Sequence, residues 1–203
     1  MLALVAAVGV LVVGATVGTG VPMIDDTARS VVSAGEDIAS GPTVNETEVA
    51  QEIHDRVNEV RQQRGLEPLS WEPALHEIAT AHSEDMANRS YYAHESPEGN
   101  NFEDRYAQAG YNCRVESRSG QGYGGAENIA YTYATTDVEG PSGETVNHNG
   151  NETKIAHGIV NQWMNSPRHR EILLQPFWNV EGIGVAVTED SNGTKVLATQ
   201  NFC

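Results

Sequence analysis

The sequence predicts an α+β fold, helices packed on a small antiparallel sheet and preceded by a hydrophobic N-terminal helix. Three observations carry this expectation. Apolar residues recur at helical spacing from residue 45 onward, the strongest strand-like stretches form a hairpin at the C-terminus, and no internal repeat is visible.

The first charged residue is Asp25, and Leu2 to Val21 is a run dominated by Ala, Val, Leu and Gly, long enough to cross a bilayer as a helix. It exceeds the usual secretory core, and no A-x-A site, twin arginine or lipidation cysteine accompanies it. Residues 1–22 therefore read as an uncleaved signal-anchor, with a cleaved signal peptide as the alternative. Residues 23–46 are small, polar and acidic, the composition of a linker. Residues 47–203 are left for one domain.

At the junction of linker and domain, Asn45 followed by Glu48 is an N-cap signature, and Val49, Ile53, Val57 and Val60 share one face until Gly65. Pro73 opens a second helix with Leu75, Ile78, Ala79, His82 and Met86 inward, so His82 reads as a core histidine. A short helix over 101–109 ends at Gly110, a glycine- and serine-rich loop fills 117–125, and Ile129 to Tyr133 reads as a strand. A polar loop through 139–151 leads to a helix over 152–165 with Ile155, Ile159, Val160 and Trp163 inward. Ser166-Pro167 caps a shorter helix to about Leu174. Gly182–Thr188, a turn at Asn192-Gly193, and Lys195–Phe202 form the hairpin.

Composition narrows function. The 28 acidic residues against 12 basic ones leave a net charge of −16, which excludes nucleic acid and opposes an anionic membrane surface. A membrane contact is expected only through the N-terminal segment. Lys154 and Lys195 are the only lysines, and acid excess with few lysines reads as halophilic. The cysteine pair, Cys113 and Cys203, suggests a disulfide in an exported chain. Sequons at Asn45, Asn88, Asn151 and Asn192 suit an extracellular or cell-surface glycoprotein.

Three segments hold candidate chemistry: the loop around His94, Glu127 behind the Gly124-Gly125 pair, and His169 three residues after Ser166. With Ser166 as N-cap, the helix dipole should depress the His169 pKa and favour the neutral, metal-binding imidazole. Two histidines and a carboxylate suit a divalent ion such as zinc, although separations of 33 and 42 residues do not establish that they meet. Ser166 is also the candidate nucleophile of a hydrolase, a role that competes with capping. The Gly120–Gly125 loop lacks the lysine and strand–helix context of a phosphate cradle.

These residues fall in a familiar order. Arg64-Gly65-Leu66-Glu67-Pro68-Leu69-Ser70-Trp71, Ala81-His82-Ser83-Glu84-Asp85-Met86, Phe102 to Tyr111, Glu127-Asn128-Ile129-Ala130, Trp163 to His169 and Gly182-Ile183-Gly184-Val185 resemble the CAP superfamily of SCP-like extracellular domains. The likeness covers about residues 49–203 and is to the bacterial and archaeal branch; with the acidic composition it implies a haloarchaeal source. It implies a three-layer αβα sandwich and a cleft of two histidines and two glutamates that holds a metal in some members. His94, Glu127 and His169 match three of those four, Ser166 stands where the second glutamate usually lies, and Ala126 replaces a glycine. A zinc ion held by His94 and His169 would then be weak and exchangeable. The resemblance further implies an extracellular binding module with a lipid or peptide partner. The alternatives are a hydrolase acting through His94, Glu127 and His169, and a surface adhesin or matrix component.

Overall fold

The structure is a computed structural model that describes residues 43–140 and 142–203. The N-terminal hydrophobic run and all but the end of the linker lie outside the described residues. Among the described residues, no helix is long and apolar enough to cross a membrane.

The order of elements is α1 Glu46–Gln62, β1 Ser70–Trp71, α2 Pro73–Asn88, α3 Phe102–Gln108, β2 Val115–Glu116, β3 Gly122–Tyr123, β4 Ala126–Tyr133, β5 Val138–Glu139, β6 Thr145–Val146, α4 Glu152–Asn165, α5 Pro167–Leu173, β7 Val180–Asp190 and β8 Gly193–Phe202. The helices begin where their local chemistry dictates. Asn45 accepts from the Glu48 amide, Asn151 from the Lys154 amide, and Pro73 and Pro167 occupy first-turn positions where a missing N–H costs nothing.

The main sheet runs β1-β7-β8-β4. β7 pairs antiparallel with β8 along its length, β8 pairs antiparallel with β4, and β1 lies parallel to β7. The sheet is therefore mixed, not purely antiparallel, because β1 and β7 are distant in sequence and meet through tertiary packing. Two further corrections concern loops. Residues 117–125 and 139–151, expected to be irregular, take part in the small hairpins β2–β3 and β5–β6. The β7–β8 turn is Ser191-Asn192, one residue earlier than expected. There the Asp190 carboxylate accepts from the Asn192 amide, and Gly193 pairs with Asp190 at a φ of 115°.

Side-chain alternation along β7 divides the core. Ile183 and Val185 face α1 and α4, where Ile53, Val57, Ile155, Ile159 and Trp163 are fully buried, each worth about 1.5–3 kcal/mol of transfer free energy or more. Gly182 and Gly184 lie under α2, and a methyl at either would overlap α2 backbone between Leu75 and Thr80. Ser83 fixes that close approach by donating to the Gly184 carbonyl at 3.0 Å. Further along, Met86 and Ala87 meet Ile129, Ala186 and Leu197. Helices thus cover both faces of the sheet. Cys113, after α3, is bonded to Cys203 at the end of β8, with Cα atoms 5.6 Å apart.

Candidate functional site

Glu127 is the centre of the site. It lies in β4, which begins ahead of the strand start expected at Ile129, because Gly125 turns the chain into the strand at a φ of 115°. A side chain at Gly125 would strike Tyr106 and the Phe202 carbonyl. That close approach sets α3 against the start of β4. Reciprocal hydrogen bonds between Asn101 and Asp104 fix the first turn of α3, and Arg105 follows on it.

The Glu127 side chain is 1% exposed, and each of its oxygens has a partner. Nδ1 of His94 donates to Oε1 at 2.8 Å, and Nη2 of Arg105 donates to Oε2 at 2.5 Å. Arg105 also donates from Nη1 to the carbonyls of His94, at 3.1 Å, and Asn100, at 3.0 Å. One guanidinium therefore holds the carboxylate and both ends of the His94 loop. His82 lies close by, with Nε2 4.0 Å from Glu127 and donating to the Ala93 carbonyl at 3.1 Å. Burial, followed by the Arg105 charge, holds His82 below the usual histidine pKa despite the opposing pull of Glu127. It is the hydrogen-bonded core histidine that its apolar stripe implied.

His169 comes from the first turn of α5. Two contacts place that helix: Arg61 donates to the Leu173 carbonyl at 2.7 Å, and Asn128 reaches the His169 carbonyl at 3.4 Å. The His169 pKa is depressed as expected, but burial is the main cause, followed by the nearby charges of His94 and Arg168. The His94 and His169 rings stand 6.5 Å apart, centre to centre.

His94, Glu127 and His169 therefore share one cleft, a cavity of about 280 Å³ completed by Phe102, Arg168 and Ile172. Ser166 does not line it. It marks the junction of α4 and α5, and its side chain makes no capping hydrogen bond. Arg105 is the functional residue that sequence reading missed. It falls inside the Phe102–Tyr111 segment, but nothing local distinguishes it from the other arginines.

The donor set does not fit a zinc ion. Both Glu127 oxygens and Nδ1 of His94 are engaged, leaving only two imidazoles where zinc takes three or four protein ligands. At zinc–nitrogen distances of about 2.1 Å, a tetrahedral pair would place ring centres about 5.3 Å apart, closer than these stand. Among the described residues, no group of three His, Cys, Asp or Glu side chains is arranged to hold a metal.

The model of the cysteine-rich secretory protein family, CAP, matches residues 54–202. The chain belongs to this family. It is 29% identical over 157 residues to YlbC, an uncharacterized membrane protein of Bacillus subtilis, covering 77% of this chain and 35% of that one. It is 27% identical over 152 residues to YkwD of the same organism, covering 75% and 46%. The chain thus spans less than half the length of either relative. Its fold is shared with an SCP-domain extracellular protein of Bacillus anthracis, at a TM-score of 0.53 and 24% identity over 80% of this chain and 44% of that one. An outer surface protein of Borrelia burgdorferi, at 0.52 and 16%, matches 80% of this chain and 98% of its own.

The four sequon asparagines, Asn45, Asn88, Asn151 and Asn192, are all exposed. Asn45 and Asn151 use only their side-chain oxygens in capping, whereas Asn192 donates its amide to the Tyr133 hydroxyl.

Proposed function

We propose that this CAP domain is an exported, surface-held binding module whose ligand sits on the wall formed by His94, Arg168 and His169. One observation carries the reading: the cleft orders His94 through Glu127 and sets His169 across from it, but puts no nucleophile beside either imidazole. Among the described residues, no serine or threonine hydroxyl is hydrogen-bonded to His94 or His169. Acyl-transfer chemistry needs that contact. A cavity of about 280 Å³ suits one side chain of an extracellular peptide or one lipid head group, being smaller than typical pockets of roughly 300–1,000 Å³.

Export is supported by the uncharged run before Asp25, the disulfide, the exposed sequons and the extracellular and outer-surface proteins that share the fold. Residues 2–21 serve as the tether, a halophilic host accounts for the acid excess, and glycans occupy the sequons. Protease treatment of intact cells tests the location by releasing a fragment of the domain's size. Mass spectrometry of protein purified from its native host, wild type beside His169→Ala, tests the binding. A lipid or peptide retained by wild type and lost from the variant is expected; equal recovery from both overturns the cleft reading. Labelling of Ser166 by a fluorophosphonate probe would favour the hydrolase instead.

A further inference from the structure

We propose that Arg105 is a built-in cation that takes the place of a metal ion in this cleft, so that the site is assembled without metal.

A buried carboxylate needs a counter-charge, because removal from water costs several kcal/mol that only close pairing returns. Glu127, on the floor of the cleft, has such a partner in its own chain. The Arg105 side chain is 12% exposed, and its planar fork divides its donors between the carboxylate and two loop carbonyls. A metal in a cleft of this kind would do two things: neutralise the carboxylate and hold the His94 loop against β4. Arg105 does both. It contacts Glu127 directly, and its bonds to the His94 and Asn100 carbonyls clasp the loop on either side of Ser96 and Glu98. Glu127 then orients the His94 ring through Nδ1, as an outer carboxylate does for a metal-bound histidine, while that ring remains 48% exposed.

The pairing also denies a divalent ion its third ligand. For Glu127 to coordinate, it must share an oxygen with Arg105 or His94, which sets the divalent ion beside a guanidinium that is already largely buried. Two imidazoles alone fall short of the three or four protein ligands that zinc takes. His82 does not supply the deficit, because its Nε2 is committed to the Ala93 carbonyl. The inference rests on the cleft geometry and is separable from ligand binding, since zinc affinity can overturn one and leave the other standing.

Isothermal titration of zinc into the whole chain at pH 7.5 tests it, comparing wild type with Arg105→Met and Arg105→Gln. Releasing Glu127 should tighten zinc binding at least about tenfold in either variant, and adding His169→Ala to Arg105→Met should abolish the gain. Wild type that binds zinc as tightly as the folded variants overturns the proposal. If neither variant folds, wild type beside His169→Ala decides: zinc binding that His169→Ala removes refutes the built-in cation, and equal, negligible binding by both upholds it.

Discussion

Gln200 donates its side-chain amide to Glu181 at 2.6 Å, in the interior, between β8 and β7. The other carboxylate oxygen of Glu181 meets Nδ1 of His54 at 2.7 Å. Because a carboxylate only accepts, Gln200 must turn its carbonyl oxygen the other way, where Asn128 donates to it at 3.0 Å. The same Asn128 amide group reaches the His169 carbonyl at 3.4 Å. A chain of fixed polarity thus runs from α1 through the sheet to the edge of the cleft. Its far end, Oδ1 of Asn128, is buried with no partner among the described residues.

Replacing Glu181 should be among the most damaging single changes in the domain. Glu181→Ala leaves the His54 and Gln200 donors facing an apolar gap, and breaking a buried pair by removing one member costs about 3–5 kcal/mol. Chemical denaturation at fixed salt should show a loss of this size. Glu181→Gln should cost less, since it retains the shape and one acceptor oxygen.

The His54 pKa supplies a pH test with a definite sign. Burial lowers it, but the hydrogen bond and charge of Glu181, aided by Asp55, overcome that and raise it above the usual value of about 6.5. Folding therefore favours protonated His54. This contribution is fully present below pH about 6.5 and is lost as pH rises through the folded pKa. In Glu181→Gln burial acts with little opposition, so the His54 pKa should fall below that of an unfolded histidine. Titrating the ring protons of both proteins by NMR checks the reversal; an unchanged His54 pKa would remove Glu181 as its cause.

Much of this was legible in the sequence where the signal was local. Asn45, Pro73 and Pro167 announced their helices because capping is decided within a turn, and the spacing of Val49, Ile53 and Val57 named the buried face of α1. The β1 strand and the two small hairpins were not legible. Each strand is two residues long, too short for any period to show. The cleft was half legible: His94, Glu127 and His169 stood out by residue type and by family order. Arg105 did not, because its role depends on the approach of α3 to β4 enforced at Gly125.

The Gly182-Ile183-Gly184 segment serves the packing of α2 on β7 without touching the cleft. Gly184→Ala places a methyl on the backbone of Ala79 and Thr80, and neither a rotamer change nor a side-chain shift relieves that contact. The remaining response is to move α2 off β7, which also lengthens the Ser83 bond to the Gly184 carbonyl. A loss at or above the upper end of the usual 1–3 kcal/mol for overpacking is expected by thermal or chemical denaturation. Gly143→Ala is a useful contrast. It has open space around it, so its cost comes from the backbone alone: at a φ of 82° an alanine is strained, by about 1–2 kcal/mol, with no helix displaced.

Salt should stabilise this domain, and the pattern of ion pairs determines the sign. Screening weakens attraction and repulsion alike, so an acidic chain rich in surface ion pairs could lose as much as it gains. Here the arginine pairs among the described residues engage only Glu59, Asp85, Glu98 and Glu127. The first three are exposed or half-buried, where each bond contributes about 0–1 kcal/mol and salt has little to remove. The Arg105–Glu127 pair is buried and shielded from ions. Against these few attractions stand most of the 28 acidic residues, with a net charge of −16 whose mutual repulsion salt relieves. Repulsion dominates, so the melting temperature should climb from low salt to molar NaCl or KCl. Most of the screening should be complete by about 1 M, where the Debye length is roughly 3 Å. Sodium chloride and sodium sulfate compared at equal ionic strength separate charge screening, which should match, from the exclusion effects of sulfate, which should not. A melting temperature that stays flat or falls across the chloride series would show that the surface pairs outweigh the repulsion.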